Sequence, residues 1–143
     1  MSRLVLLIRS PRLLMKVLAR LRARACPVDV DTGARSLRSN AIVLTDDLER
    51  ALALGRQGIT TILVNEEDYK GKVELALLMT RGKTLFKELV IGIDPGAEIG
   101  FVVIGDGSLL EAERLTSVES LLSMVREILE TYPYRRCFIC LLY

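Results

Sequence analysis

The chain contains no histidine and no tryptophan, and its 143 residues include only one glutamine and two asparagines. The absence of histidine excludes a serine triad, a histidine-ligated zinc ion and a histidine general base. Any catalysis must therefore depend on carboxylates, lysine, cysteine, tyrosine or a metal ion held by oxygen ligands. Few thermolabile amides and many charged side chains are typical of a protein from a thermophile.

Cysteine is scarce as well, because three cysteines are too few for a disulfide framework. Cys137 and Cys140 form a C-x-x-C pattern, but they lie within an apolar run that is typical of a strand. Residues three apart on a strand face opposite sides, which does not suit a shared zinc or redox site. We interpret the two cysteines as buried structural residues.

Long hydrophobic runs are also missing. The first apolar run, Leu4–Ile8, has five residues, whereas roughly 20 are needed to span a bilayer. We therefore expect a cytoplasmic protein that has no membrane partner. Half of the residues are apolar and 27% are charged, which allows a packed core and excludes a disordered tail.

Charge is divided unevenly along the chain. Residues 1–44 carry nine Lys and Arg against two acids, a balance of +7. Residues 45–143 carry eleven bases against sixteen acids, a balance of −5. The basic part is a candidate surface for a polyanion such as DNA or RNA.

Strands alternate with helices in the first part of the sequence. This alternation predicts βαβ units and a mostly parallel sheet, hence a Rossmann-like α/β part over residues 1–84. No glycine-rich dinucleotide fingerprint follows any of its strands. The predicted strands are Leu4–Ile8, Val28–Val30, Ala41–Leu44 and Thr60–Val64.

The helices of this part have recognisable first residues. Ser10 and Pro11 are typical of an N-cap and a first helical position. Asp46, with Glu49 three residues later, predicts a capping box for the second helix. The third helix is predicted from about Lys72 to Thr80.

Basic residues recur at every fourth position along one face of the first predicted helix. A stripe of this kind suits contact with a nucleic-acid backbone. The alternative is the solvated side of a helix that covers a sheet, which the lack of interleaved aromatic residues favours. The stripe consists of Arg12, Lys16, Arg20 and Arg24.

The pattern changes from residue 88 onwards. An apolar strand, Leu89–Ile93, runs directly into Asp94, and a glycine turn leads to a second strand, Ile99–Ile104. A carboxylate in this position can hold a divalent cation or position a phosphate. The alternative is that Asp94 only starts a turn, since Asp, Pro and Gly are the usual turn residues. A third strand, a capped helix and a fourth strand, Arg136–Leu142, are predicted to follow.

The stretch Ile91–Gly96, followed by Gly100 and a strand, resembles the first motif of RuvC-type Holliday-junction resolvases and their archaeal relatives. The resemblance covers residues 88–142. It implies a truncated RNase H-like part over residues 85–143, with an antiparallel three-strand meander, a helix and a fourth strand.

The same resemblance implies roles for individual residues. Asp94 corresponds to the first catalytic, metal-binding carboxylate of the family, and Pro95, Gly96 and Gly100 form the motif turn. The activity implied is that of a Mg²⁺-dependent endonuclease, in which several carboxylates converge on two metal ions. The family's second acid falls where this chain has Cys140, Leu141 and Leu142, so we expect an incomplete nuclease site.

Two other functions stay open from the sequence. One is a non-catalytic binding or assembly module. The other is a phosphate-binding remnant of the actin- and sugar-kinase-like ATPases. The stretch Asp94–Gly107 also resembles the first hairpin of those proteins. Because burial against a second copy is one remedy for an open strand edge, the edge at Arg136–Leu142 predicts a homo-oligomer.

Overall fold

The computed structural model describes residues 2–24 and 37–142. The chain forms two compact units, residues 1–84 and residues 85–143. Its class is mixed α/β, as the sequence predicted. The predicted strand Val28–Val30 lies outside the described residues. None of the helices in the described part has both the length and the hydropathy needed to cross a bilayer.

The first unit is built on a parallel sheet of three strands, which lie in chain order. The strands are short apolar runs, and each aligns with the next without a shift, so that Leu4 pairs with Ile42 and Ile42 pairs with Thr60. Its elements are β1 (Arg3–Leu7), α1 (Pro11–Ala23), β2 (Ala41–Thr45), α2 (Leu48–Arg56), β3 (Thr60–Leu63) and α3 (Tyr69–Thr80).

Both faces of this sheet are covered by helices. Alternate strand residues point to opposite faces, and Leu4 and Leu6 pack with the buried residues of α1 and α3. Val5 and Leu7 pack on the other face with Leu54 of α2. The chain therefore leaves β1 and β2 towards opposite faces of the sheet.

The first helix begins as predicted, but the second does not. The hydroxyl of Ser10 accepts a hydrogen bond from the amide of Leu13 at 3.3 Å, which caps α1. The cap of α2 is Asp47, whose carboxylate accepts from the amide of Arg50 at 3.2 Å. The prediction that Asp46 caps this helix is wrong, because its carboxylate binds backbone amides at the start of α1.

The third helix begins at Tyr69, one turn before the predicted start near Lys72. The preceding residues form a side-chain-stabilised turn. The amide of Asp68 donates to the Asn65 side chain at 3.0 Å, and the Asp68 carboxylate accepts from the Asn65 amide at 2.9 Å. Asn and Asp favour such local bonds, which is why the acidic stretch forms a turn and not the first turn of the helix.

The second unit is a mixed sheet of four strands in the order β6-β5-β4-β7. The first three form an antiparallel meander, and the last strand lies parallel to β4 on its other side. Each predicted strand is present, with ends that differ from the prediction by at most three residues. Its elements are β4 (Phe86–Asp94), β5 (Ile99–Gly105), β6 (Ser108–Leu115), α4 (Val118–Thr131) and β7 (Tyr134–Leu141).

The two faces of the second sheet differ in burial. Odd-numbered residues in the middle of β4 and β5, such as Ile91 and Val103, are buried. Tyr132, which follows α4, lies on this face, because its hydroxyl donates at 2.6 Å to Glu111, the cross-strand neighbour of Val103. On the opposite, even-numbered face Val102 is only partly buried, and this face carries the cavity described next.

Candidate functional site

Asp94 is the last residue of β4, and its side chain is exposed. It lies at one end of an open cavity of about 670 Å³ in the second unit. The wall of the cavity combines three small residues, two carboxylates, one guanidinium and several apolar groups. The lining residues are Gly92, Asp94, Gly100, Phe101, Val102, Ala112, Glu113, Arg114 and Leu142.

Glycines keep the floor of this cavity open beside Asp94. Gly100 is the direct ladder partner of Asp94, and a Cβ atom on it would come within 3.2 Å of the Asp94 Cβ. A Cβ atom on Gly92 would meet the Val102 side chain at 2.7 Å. Both positions therefore need glycine for space and not for an unusual backbone angle. Sequence reasoning identified Gly100 but did not single out Gly92, although it lies within the motif.

The other two motif residues form the turn and do not line the cavity. Pro95 and Gly96 follow Asp94 directly and lead back towards β5. A Cβ atom on Gly96 would approach the Glu98 carbonyl oxygen at 3.2 Å, so this turn is closely packed. Their role is thus to return the chain tightly, which brings Gly100 opposite Asp94.

A basic side chain lies on the same row of the sheet. Arg114 of β6 pairs with Gly100, which in turn pairs with Asp94, so that the glycine separates the acid from the base. The Arg114 guanidinium lies 3.7 Å from the Glu98 carboxylate, and both side chains are exposed. A separation of this size between exposed groups gives a weak ion pair. Arg114 was not predicted, because its place depends on the strand register.

No group of three or more His, Cys, Asp or Glu side chains that could hold a metal ion is present among the residues the structure describes. Asp94 therefore supplies a single carboxylate. Mg²⁺ suits such a site, because it keeps several water ligands and binds through one or two carboxylates together with substrate phosphates. The residues present thus fit Mg²⁺ held jointly with a phosphate better than a complete two-metal centre.

On the β7 side, the position next to Asp94 is apolar. The Leu142 amide donates to the Ile93 carbonyl at 2.8 Å, which places Leu142 beside the end of β4 and on the cavity wall. Cys140 pairs with Gly92 on the same face, and its side chain is exposed. A carboxylate from this strand is therefore absent at the position where the RuvC-type motif implied one. The prediction that both cysteines are buried is wrong for Cys140, because β7 lies at the edge of the sheet, and Cys137 is only partly buried.

In the first unit, the outer half of the basic stripe is paired with an exposed acid. The Lys16 ammonium lies 2.8 Å and the Arg12 guanidinium 3.3 Å from the Glu66 carboxylate. The hydrogen bond from Lys16 and the charges of both bases hold the pKa of Glu66 below its ordinary value. These pairs connect α1 to the turn before α3.

The inner half of the stripe is paired with a buried acid. Arg20 and Arg24 lie 2.9 Å and 3.2 Å from the carboxylate of Glu74, whose side chain is 1% exposed. The stripe thus lies along α3, and its contact with nucleic acid stays a prediction. Sequence reasoning missed Glu74, although a single acid in the apolar run Val73–Leu78 was a usable signal.

At the carboxyl edge of the first sheet, the carboxylate of Asp46 occupies the backbone amides that precede α1. Asp46 accepts hydrogen bonds from the amides of Arg9 at 2.8 Å and Ser10 at 2.9 Å, at the start of α1. Partial burial raises the pKa of Asp46, but these amides and the Arg9 charge outweigh it, so the pKa lies below its ordinary value. The Arg9 guanidinium also pairs with Asp47 at 2.7 Å. Amides that attract anions at a helix start are therefore already bonded here.

Comparisons with protein-family models, with curated proteins and with solved structures found no match to this chain. The geometry of the Asp94 cavity therefore carries the functional interpretation.

Proposed function

We propose that the protein belongs to the RuvC-like, RNase H-like lineage and associates with DNA or RNA through an incomplete metal-dependent nuclease site centred on Asp94. In this proposal Asp94 supplies one oxygen ligand to Mg²⁺, and Arg114 contacts a phosphate of the nucleic acid. In this proposal the residues of the Asp94 cavity bind a metal ion and a nucleic acid, and they do not form a complete cleavage site.

The observation that carries the proposal is the position of Asp94. It ends β4, which lies between the antiparallel strand β5 and the parallel strand β7, and it opens on the cavity. A meander, a helix and a returning fourth strand, in this order, support the RNase H-like interpretation. Glycine at position 100 gives a ligand access to the carboxylate.

The charges of the cavity suit a metal–phosphate pair. A Mg²⁺ ion on Asp94 would supply positive charge at one end of the row, and the Arg114 guanidinium supplies it at the other. Arginine binds phosphate oxygens through a planar pair of donors. The exposed ion pair between Arg114 and Glu98 is weak. Arg114 can therefore leave it to bind a phosphate at a small cost in free energy.

Metal binding is tested by adding Mg²⁺ to the isotope-labelled full chain and following amide chemical shifts. We expect shifts that saturate and are largest near residues 93–100. Asp94→Asn abolishes them, whereas Glu119→Gln, on the first turn of α4, leaves them unchanged. Shifts that persist in Asp94→Asn would remove Asp94 from the site.

Nucleic-acid binding is tested with fluorescently labelled branched DNA at two salt concentrations. Phosphate contacts predict that affinity falls steeply with salt and that Arg114→Ala weakens binding in the presence of Mg²⁺. Equal affinity at both salt concentrations contradicts the proposal.

A non-catalytic assembly module is the second candidate function. One observation favours it, namely the exposed apolar residues of β7, among them Phe138, Ile139 and Leu141. Binding and assembly are compatible within one protein. If DNA and Mg²⁺ both fail to bind, assembly alone is the function that these residues support.

A further inference from the structure

The strand β7 has an open backbone edge. It lies at one end of the second sheet, and among the described strands its neighbour is β4 alone. The amide of Leu142 donates to β4 at the Ile93 carbonyl. Because hydrogen bonding alternates along a strand in a parallel pair, the odd-numbered residues Cys137, Ile139 and Leu141 direct their N–H and C=O groups away from β4.

The same strand exposes apolar side chains on both of its faces. Phe138 and Ile139 are 45% and 55% exposed, and Leu141 and Leu142 are 53% and 54% exposed. Between Cys137 and Leu142 there is no charged residue. By contrast, the opposite edge strand β6 carries three charged residues, and charges are a usual protection of a strand edge against pairing.

We propose that β7 pairs antiparallel with β7 of a second copy, about a two-fold axis at Ile139, and joins two four-stranded sheets into one continuous sheet. The uncharged end of β7 itself, Cys137–Leu141, is centred on Ile139, so these five residues pair with the same five residues of the second copy. Self-complementary pairing of this kind is what a two-fold dimer requires.

The charges of the strand select the antiparallel direction. Arg135 and Arg136 lie near the start of β7. In a parallel pair they would lie opposite the same arginines of the copy, and like charges directly opposite are destabilising. The antiparallel pair places them opposite the apolar end of the partner strand.

The size of the surface is sufficient for a weak, specific dimer. On each copy, pairing covers four large, half-exposed apolar side chains and a strand edge of about seven residues. This removes roughly 1,000 Å² of surface in total, which is near the lower limit for a specific interface. We therefore expect the dimer at micromolar concentrations and above.

This register also places a basic residue of the partner near Asp94. The partner's Arg136 lies opposite Leu142, which lines the Asp94 cavity, and on the same face of the sheet. With strands about 4.8 Å apart, it lies two strands, or about 10 Å, from β4. Arg114 lies two strands away on the other side. Asp94 would then lie between two arginines, an arrangement suited to a phosphodiester backbone. Arg136 pairs with Glu88 of its own copy at 2.8 Å, but both side chains are exposed, so a phosphate can displace this pair. This second step rests on the proposed function, whereas the pairing of β7 does not.

The dimer is tested first by sedimentation of the full chain at 5–100 μM, without nucleic acid or Mg²⁺. We expect the wild type to approach twice the chain mass of 16.0 kDa. Ile139→Lys is expected to stay monomeric. Leu122→Lys is the matched control, because Leu122 on α4 is 56% exposed and Ile139 is 55% exposed.

Ile139→Pro separates pairing from folding. It removes an N–H that points to the open edge, a position where strands tolerate proline. We expect a monomer with an unchanged circular dichroism spectrum. A monomeric wild type, or a dimer that survives both Ile139 substitutions, overturns the inference.

The register is tested by a disulfide. In a background with its three native cysteines replaced by alanine, Ile139→Cys faces its own copy. Hydrogen-bonded antiparallel partners have Cα atoms about 5.5 Å apart, which a disulfide spans. Mild oxidation is expected to give a covalent dimer, whereas Leu122→Cys in the same background gives none. Absence of the covalent dimer contradicts this register.

The shared site is tested by mixing two variants that each lack one contribution, Asp94→Asn and Arg136→Ala. Each variant alone should bind the branched DNA weakly. After mixing in equal amounts, half of the dimers are mixed and each has one intact site, so about one quarter of the sites recover. No recovery means that Arg136 does not act across the dimer. A dimer that binds no DNA leaves the pairing standing and refutes the proposed function.

Discussion

The two units of the chain use their charged side chains in opposite ways. In the first unit, all four residues of the basic stripe lie beside glutamates, and Asp46 binds backbone amides. In the second unit, Asp94 and Arg114 line an open cavity, separated by a glycine. The first unit uses these charges to hold helices and strands together. In the second unit Arg136 and Glu88 also pair across β7 and β4, but Asp94 and Arg114 stay on the wall of an open cavity.

This difference shows that charge summed along a sequence does not tell which charged side chains are paired within the fold. Residues 1–44 have a charge balance of +7, which suggested a nucleic-acid surface. Yet the basic residues of α1 pair with acids from residues 45–143, whose charge balance is −5. What distinguishes the Asp94 cavity is local, namely small residues that leave space beside a carboxylate at the end of a strand.

The largest expected effect concerns the buried half of the stripe. Glu74→Gln leaves two largely buried arginines, Arg20 and Arg24, without their carboxylate. Removing one partner of a buried ion pair costs about 3–5 kcal/mol of unfolding free energy. Urea denaturation, with amide hydrogen exchange to follow each unit separately, measures the loss, which we expect in the first unit alone.

Glu66→Gln is the control for this prediction. Glu66 also pairs with two basic residues of α1, but on the surface. Exposed pairs contribute little, so we expect no measurable change. Similar losses for both variants would show that the stripe is not divided into a buried and an exposed half.

The second prediction contrasts glycines of the two units. Gly92→Ala places a Cβ atom 2.7 Å from the Val102 side chain and is expected to destabilise the second unit by about 1–3 kcal/mol through overpacking. Gly55 in α2 has no atom within 4 Å of the corresponding position. Gly55→Ala should therefore stabilise the first unit by up to about 1 kcal/mol, the gain in helix propensity. Thermal denaturation of both variants measures the difference, and the same sign for both would contradict it.

Much of the fold was accessible from the sequence, because its strands are apolar runs with clear limits. The first strand was predicted at Leu4–Ile8 and is found at Arg3–Leu7. The α/β class followed from the alternation of such runs with helical spacing. The end of β4 was marked by Asp94 and its glycine turn.

What the sequence left unresolved depends on contacts between distant residues. Asp46 and Asp47 are adjacent acids that both suit a helix cap, and the choice is made by the amide of Arg9, 37 positions away. Glu74 meets Arg20 across 54 positions. In the candidate site, Asp94 and Gly100 belong to one local motif, whereas Arg114 and Leu142 reach it through strand pairing, which local patterns do not encode.

The third prediction uses pH to compare a carboxylate from each unit. The folded chain lowers the pKa of Asp46, so its stabilising contribution is complete above the ordinary carboxyl pKa of about 3.9. It is lost as the pH falls through the lowered pKa. At pH 7 Asp46→Asn should cost about 1 kcal/mol, and the difference from the wild type should vanish in acid. Asp94→Asn, at an exposed strand end, should leave stability at pH 7 unchanged, and a cost equal to that of Asp46→Asn would refute the contrast.

The smallest effect concerns the two cysteines of β7, which report on the open edge without any substitution. Burial raises the pKa of the Cys137 thiol, whereas Cys140 is exposed. Because the thiolate is the reactive form, iodoacetamide at pH 8 and low protein concentration should modify Cys140 several-fold faster than Cys137. A higher pH should reduce this difference between the two modification rates. Pairing through β7 covers Cys140, so its labelling rate should fall as the protein concentration rises through the micromolar range. Peptide mass spectrometry separates the two sites, and a Cys140 rate independent of concentration would show that this edge stays open.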